Sequence, residues 1–115
     1  MHFSSEVIKD FIVILRPTGF IDLTAAVLFE KTLDALRESY SKHHFIIDLG
    51  RVEYLSSSAL RVIITTCRKL EDKNFNLVLL NPTSSCSKIM KVIKFDDIVD
   101  VYTSEEDAIN SFLII

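Results

Sequence analysis

Glycine is nearly missing from this 115-residue chain, which has two copies, and proline is equally scarce. So little of either excludes a collagen-like, linker-rich or disordered chain. It also removes any glycine-rich phosphate cradle: neither G-x-S-x-G, G-x-x-x-x-G-K-S/T nor G-x-G-x-x-G occurs. Tryptophan is absent, and two cysteines are too few for a disulfide framework, which fits a reducing, cytoplasmic setting. A basic excess is lacking as well. Thirteen Lys and Arg stand against 16 Asp and Glu, for a net charge of −3, so no nucleic-acid partner is expected. No apolar run approaches the roughly 20 residues needed to cross a bilayer, and direct membrane insertion is not expected. The start, Met1-His2-Phe3-Ser4-Ser5-Glu6, lacks the basic and apolar regions of a signal peptide.

What the chain does hold is apolar. Hydrophobic residues make up 49% of it and the mean hydropathy is +0.30. At 13.1 kDa that is enough for one core, so residues 1–115 read as a single domain. Phe11–Leu15 is a β-branched and aromatic run closed by Pro17 and Gly19. His44–Leu49 is closed by Gly50, and Asn76–Leu80 by Asn81-Pro82. Each reads as a buried strand, and continuous rather than alternating runs predict a sheet covered on much of both faces. Weaker strands are expected near Phe3–Ile8 and Ile98–Tyr102.

Between these runs the period is helical. Ala25, Phe29, Leu33, Leu36 and Tyr40 form one stripe. Leu60, Ile63, Ile64, Cys67 and Leu70 form a second, opposite Arg61, Arg68 and Lys69. Ile89, Met90 and Ile93 mark a third helix. Thr103 with Glu106 three residues on forms a capping box for a fourth, which buries Ala108, Ile109 and Phe112. The order is β-β-α-β-α-β-α-β-α. It predicts an α/β fold: a mixed, mainly parallel sheet of about five strands with about four helices, an antiparallel edge and right-handed crossovers.

The unusual stretch is Tyr54-Leu55-Ser56-Ser57-Ser58-Ala59-Leu60, which follows a strand and opens the second helix. Three hydroxyls there meet the free N–H groups and positive dipole end of that helix. Capping by Ser56 is one reading. A phosphoacceptor serine is the other, because a helix N-terminus accommodates a phosphate. Residue positions alone leave both open, and they do not separate Ser57 from Ser58.

These residues, in this order, resemble the STAS family of small anti-sigma factor antagonists and homologous domains of anion transporters. The family pattern at the serine run is an apolar residue, Asp-Ser-Ser or Asp-Ser-Thr, then Gly-Leu; here it stands as Leu55-Ser56-Ser57-Ser58-Ala59-Leu60. Gly19-Phe20-Ile21-Asp22, followed by Ala26, resembles the family's Gly-x-Leu-Asp turn into its first helix. Phe45-Ile46-Ile47-Asp48-Leu49 is similar to its Val-Leu-Asp-Leu strand. The match runs from about Phe3 to Phe112.

The resemblance implies a non-catalytic partner switch. An anti-sigma factor with serine kinase activity would bind the unmodified protein and phosphorylate Ser57, with Ser58 as second choice, and a phosphoserine phosphatase would reset it. Asp22, Ser56, Ser57, Ser58 and Arg61 are the implied partner-binding residues. A monomer or weak homodimer is expected. Two departures stand out. Ser56 replaces the family Asp, which keeps a capping oxygen and loses a negative charge. Ala59 replaces the family Gly, which adds a methyl where a partner backbone would approach. The alternative is a STAS subunit docked constitutively on a transporter ATPase or signalling scaffold, without phosphorylation.

Other signals have plain explanations. His2, His43 and His44 have no cysteine or carboxylate at metal-ligand spacing, so neither metal nor cofactor is expected. The two adjacent histidines read as one inward and one solvated. Cys67 and Cys86 read as buried small hydrophobes, and Asp96-Asp97 as a solvated turn. A receiver domain needs an acidic pair after its first strand, which is missing. A nucleophilic Ser57 needs a base, yet His43 and His44 fall at the far, amino end of the preceding strand. The terminal Phe112-Leu113-Ile114-Ile115 reads as an apolar tail folded onto the sheet or seated in a neighbouring subunit.

Overall fold

The apolar runs become a six-stranded sheet with four α-helices in the computed structural model, which describes residues 2–113. In chain order the elements are β1 (His2–Ile8), β2 (Ile12–Ile21), α1 (Leu23–Ser39), β3 (His44–Asp48), β4 (Val52–Leu55) and α2 (Ser57–Glu71). There follow β5 (Leu77–Leu80), α3 (Ser84–Val92), a short 3-10 turn at Phe95–Asp97, β6 (Val101–Tyr102) and α4 (Glu105–Asn110). The main sheet runs β1-β2-β3-β5-β6, with β1 antiparallel to β2 and the rest parallel, as the element order predicted.

One strand differs from expectation. Pro17 and Gly19 do not close β2, which continues to Ile21. Its first half pairs with β3 over Ile12–Leu15, and its second half pairs with β4 over Gly19–Ile21. Pro17 lies in the gap between these two parallel ladders, where a missing N–H forfeits no bond on that side. Gly19 sits at the bulge that follows, with φ +91, a conformation that suits glycine and strains other residues. The added strand β4 makes the sheet one strand larger than the apolar runs suggested.

Alternation along each strand sorts the core into two layers. Val13, Leu15, Phe45, Ile47, Leu77 and Leu79 face α1, α2 and α3, and are buried with Phe29, Leu33, Ile63 and Leu70. Ile12, Ile14, Ile46, Val78 and Leu80 face the other way and are closed off by Ala108 of α4. Burying one such side chain contributes about 1.5–3 kcal/mol. Both expected cysteines are in the core, where burial pushes their thiols up.

A side-chain oxygen caps each helix at its N-terminus: Asp22, Ser56, Thr83 and Ser104. The fourth helix therefore starts one residue later than Thr103 predicted. Ser104 accepts the Asp107 N–H at 3.3 Å, and Glu105, Glu106 and Asp107 then fill the first turn, where the helix dipole favours acidic groups. The histidine pair also departs from expectation, since both rings are half-buried. His43 sits edge-on to Tyr40, while His44 stacks on Phe112 at 4.6 Å and accepts the Asn76 N–H at Nδ1. Burial, and then the neighbouring His43, lower the His44 pKa. Phe112 thus folds back onto the sheet, and Leu113 is exposed; Ile114 and Ile115 lie outside the described residues.

Candidate functional site

Pairing of Ile21 with Leu55 brings two helix heads together. Directly beyond those residues stand Asp22, the cap of α1, and Ser56, the cap of α2. Asp22 Oδ1 accepts the Ala25 N–H at 2.8 Å, and Ser56 Oγ accepts the Ala59 N–H at 3.1 Å. The Ser56 N–H donates to the Ile21 carbonyl at 2.9 Å, which locks the two heads in register. Ser56 is therefore committed to structure: it is buried and its hydroxyl oxygen caps the helix. Asp22 caps as well, but unlike Ser56 it is exposed, beside the serine run.

The next two serines diverge. Ser57 is exposed, whereas Ser58 is half-buried. Successive helix residues point about 100° apart, so the two face different neighbours. Ser57 borders a groove of about 410 Å³ between α2 and α3, floored by Leu55, Leu60, Ile64 and Ile89. Ser58 borders a groove of about 230 Å³ between α1 and α2, beside Leu23, Val27 and Val62. Arg61, one turn further along α2, lines both. Around this end the surface is unusually apolar: Phe20 is 59% exposed and Leu23 69%, and Phe20 pairs with Tyr54 across the β2–β4 ladder at 6.5 Å. Neither groove contains a histidine, and His43 and His44 stand at the opposite, amino end of the parallel strands.

The groove beside Ser57 is built from the far side by α3. Thr83 Oγ1 donates to the Val52 carbonyl at 2.8 Å while capping α3, and the Cys86 thiol donates to the same carbonyl at 3.4 Å. These bonds fix the head of α3 against β4.

A second concavity, of about 440 Å³, lies elsewhere, beside Arg16, Asp48 and Arg51. Residue patterns gave no sign of its central feature. Arg16 donates to Asp48 at 2.8 Å, meets Glu105 at 3.0 Å, and also bonds Glu6. It ties β1, β3 and α4 together with three carboxylates. The Glu6 bond, opposed by burial and helped by Asp48 and Glu105, raises the guanidinium pKa above its ordinary value. Its own charge is balanced within the fold, whereas Arg51, which lines the same concavity, makes no ion pair among the described residues. Among the described residues, no three His, Cys, Asp or Glu side chains gather where they could hold a metal. No described helix is long and apolar enough to cross a membrane.

Residues 3–108 match the family model of the STAS domain. The chain belongs to the STAS family. A Thermotoga maritima protein named, by inference, an anti-sigma factor antagonist is 26% identical over 103 residues, covering 88% of this chain and 89% of its own. Among solved structures, the anti-sigma factor antagonist SpoIIAA in its unphosphorylated form superposes with a TM-score of 0.82 at 21% identity, covering 99% of each chain. The phosphorylated form of the Bacillus cell fate determinant SpoIIAA gives 0.73 at 20% identity, covering 96% of this chain and 99% of that one. At such identities the structures establish the fold.

Within this STAS domain the two departures from the family pattern take on definite roles. Ser56 preserves the cap with a neutral oxygen. The methyl of Ala59 is wholly buried with Leu55 and Leu60 in the core. It therefore does not stand in the path of an approaching backbone, as its place in the serine run suggested.

Proposed function

We propose that this STAS domain is an anti-sigma factor antagonist that works by partner switching in the cytoplasm, as a monomer or weak homodimer. In its unmodified form it binds an anti-sigma factor with serine kinase activity. Phosphorylation of Ser57 releases that partner, and a phosphoserine phosphatase restores binding. The observation that carries this reading is the exposure of Ser57 on the rim of an apolar groove, while Ser56 is buried in a cap and Ser58 is half-covered. The relatives' names and the fold shared with SpoIIAA support the same role.

The physics of such a switch is favourable here. A phosphate on Ser57 adds about −1.5 to −2 charge to a face otherwise rich in exposed apolar side chains. Docking then requires desolvation of a dianion, and affinity falls. The phosphate itself is accommodated, because it stands at the N-terminus of a 15-residue helix with no acidic residue in its first turn.

The test is affinity capture from native lysate with wild type, Ser57→Ala and Ser57→Asp as baits. An ATPase of the serine-kinase type should be held by the first two and lost from the third, with affinity at least about tenfold lower, or about 1.4 kcal/mol. The second reading is constitutive docking on a transporter ATPase or scaffold, favoured by neutral Ser56 in place of the family Asp. Capture of the same transporter or scaffold subunits by all three baits would establish it and remove the switch.

A further inference from the structure

Arg61 is placed where the proposed modification would act. It lies four residues after Ser57 on α2, a spacing that puts side chains on one helix face with Cβ atoms about 5–6 Å apart. It is exposed, and it alone among the described cations lines both grooves. Arg16, Arg37 and Lys69 all meet carboxylates, whereas Arg61 makes no ion pair and no side-chain hydrogen bond among the described residues, although Glu30 of α1 lines one of its two grooves. Nor does the helix explain it. A cation near the positive end of the macrodipole gains nothing there.

We propose that Arg61 is the intrachain partner of phosphorylated Ser57: its guanidinium turns back along α2 and closes on the phosphate. This inference rests on the modification of Ser57. A guanidinium fork suits phosphate oxygens, and an i, i+4 pair needs no backbone movement to form. Phosphorylation then changes the docking face twice. It adds a dianion, and it withdraws the positive charge that both grooves share. The cation also holds the phosphate down on the helix, across the mouth of the groove between α2 and α3.

The experiment uses the full chain with phosphoserine installed at position 57 by genetic encoding, followed by phosphorus NMR across pH at low ionic strength. The second phosphate pKa, ordinarily about 6, should rise by about 0.4 unit in Arg61→Gln and return most of the way in Arg61→Lys. The helix terminus acts equally on all three proteins, so the difference isolates Arg61. Identical titrations in the three would overturn the pairing. Because no kinase takes part, the result is separable from the switch itself. Mass spectrometry of the native protein that finds Ser57 always unmodified would sink the switch while leaving the titration standing.

Discussion

Arg16 and Arg61 carry the same guanidinium into opposite circumstances. Arg16 is partly buried, with Glu6, Asp48 and Glu105 around it, and it joins an edge strand, a central strand and the last helix. Arg61 stands on the rim of two grooves with no carboxylate bonded to it among the described residues. The concavity beside Arg16 is as large as either groove, yet its central cation is already matched from within and it lacks the exposed apolar rim, leaving only Arg51 without an ion pair among the described residues. Cavity size is therefore a weaker guide to a binding face in this fold than unmatched charge beside exposed apolar surface. Structure uses one arginine, and the other remains available.

The contrast can be broken most directly by truncating both. Arg16→Ala should lower the unfolding free energy by about 2 kcal/mol, since it leaves the part-buried Asp48 with the Gly50 N–H but no cation. Arg61→Ala should stay within about 0.5 kcal/mol of wild type. Urea denaturation measures both, and equal losses would erase the distinction. A finer version compares the neighbouring serines. Ser56→Ala should cost about 1 kcal/mol through loss of the cap, whereas Ser57→Ala should leave stability unchanged in the same assay.

The smallest effect concerns pH, at the end of the sheet away from the serines. The folded His44 pKa lies below its ordinary value of 6.5, so the unfolded chain takes up the proton first. Stability from this residue is complete above about pH 6.5 and is lost as pH falls through the folded pKa. Protonation also removes the Nδ1 lone pair that accepts the Asn76 N–H. Melting temperature should fall on acidification below about pH 6.5, and less steeply in His44→Phe. Matching slopes would show that this ring is not the responsible group.

How much of this was legible in the residues follows from one strand. β3, β5 and the first half of β2 announce themselves as continuous β-branched runs, and the helices as stripes ending in side-chain caps. Pro17 and Gly19 look like a stop, and that appearance hides the second half of β2. The same appearance hides β4, because Val52-Glu53-Tyr54-Leu55 is a weak strand by itself and is drawn into the sheet only by the partner that Pro17 seemed to remove. Without β4, the adjacency of Asp22 and Ser56 rested on the family resemblance alone. Nor could a linear reading see that Ser57 is exposed and Ser58 half-covered, since that depends on where α1 and α3 lie beside α2. Arg16 escaped notice for a similar reason, because its three carboxylates are distant in sequence and meet only in the fold.

The long second strand has a mechanical consequence. β2 runs past its pairing with β3 at Leu15, is still held by β1 as far as Thr18, and carries β4 on Gly19–Ile21. The two helix heads sit at that end, where Ile21, Ala26, Val52, Leu55 and Ala59 are buried in the same core layer as Val13 and Leu15. A load applied at the tip is thereby passed through the heads of α1 and α2 into the core that the whole domain shares.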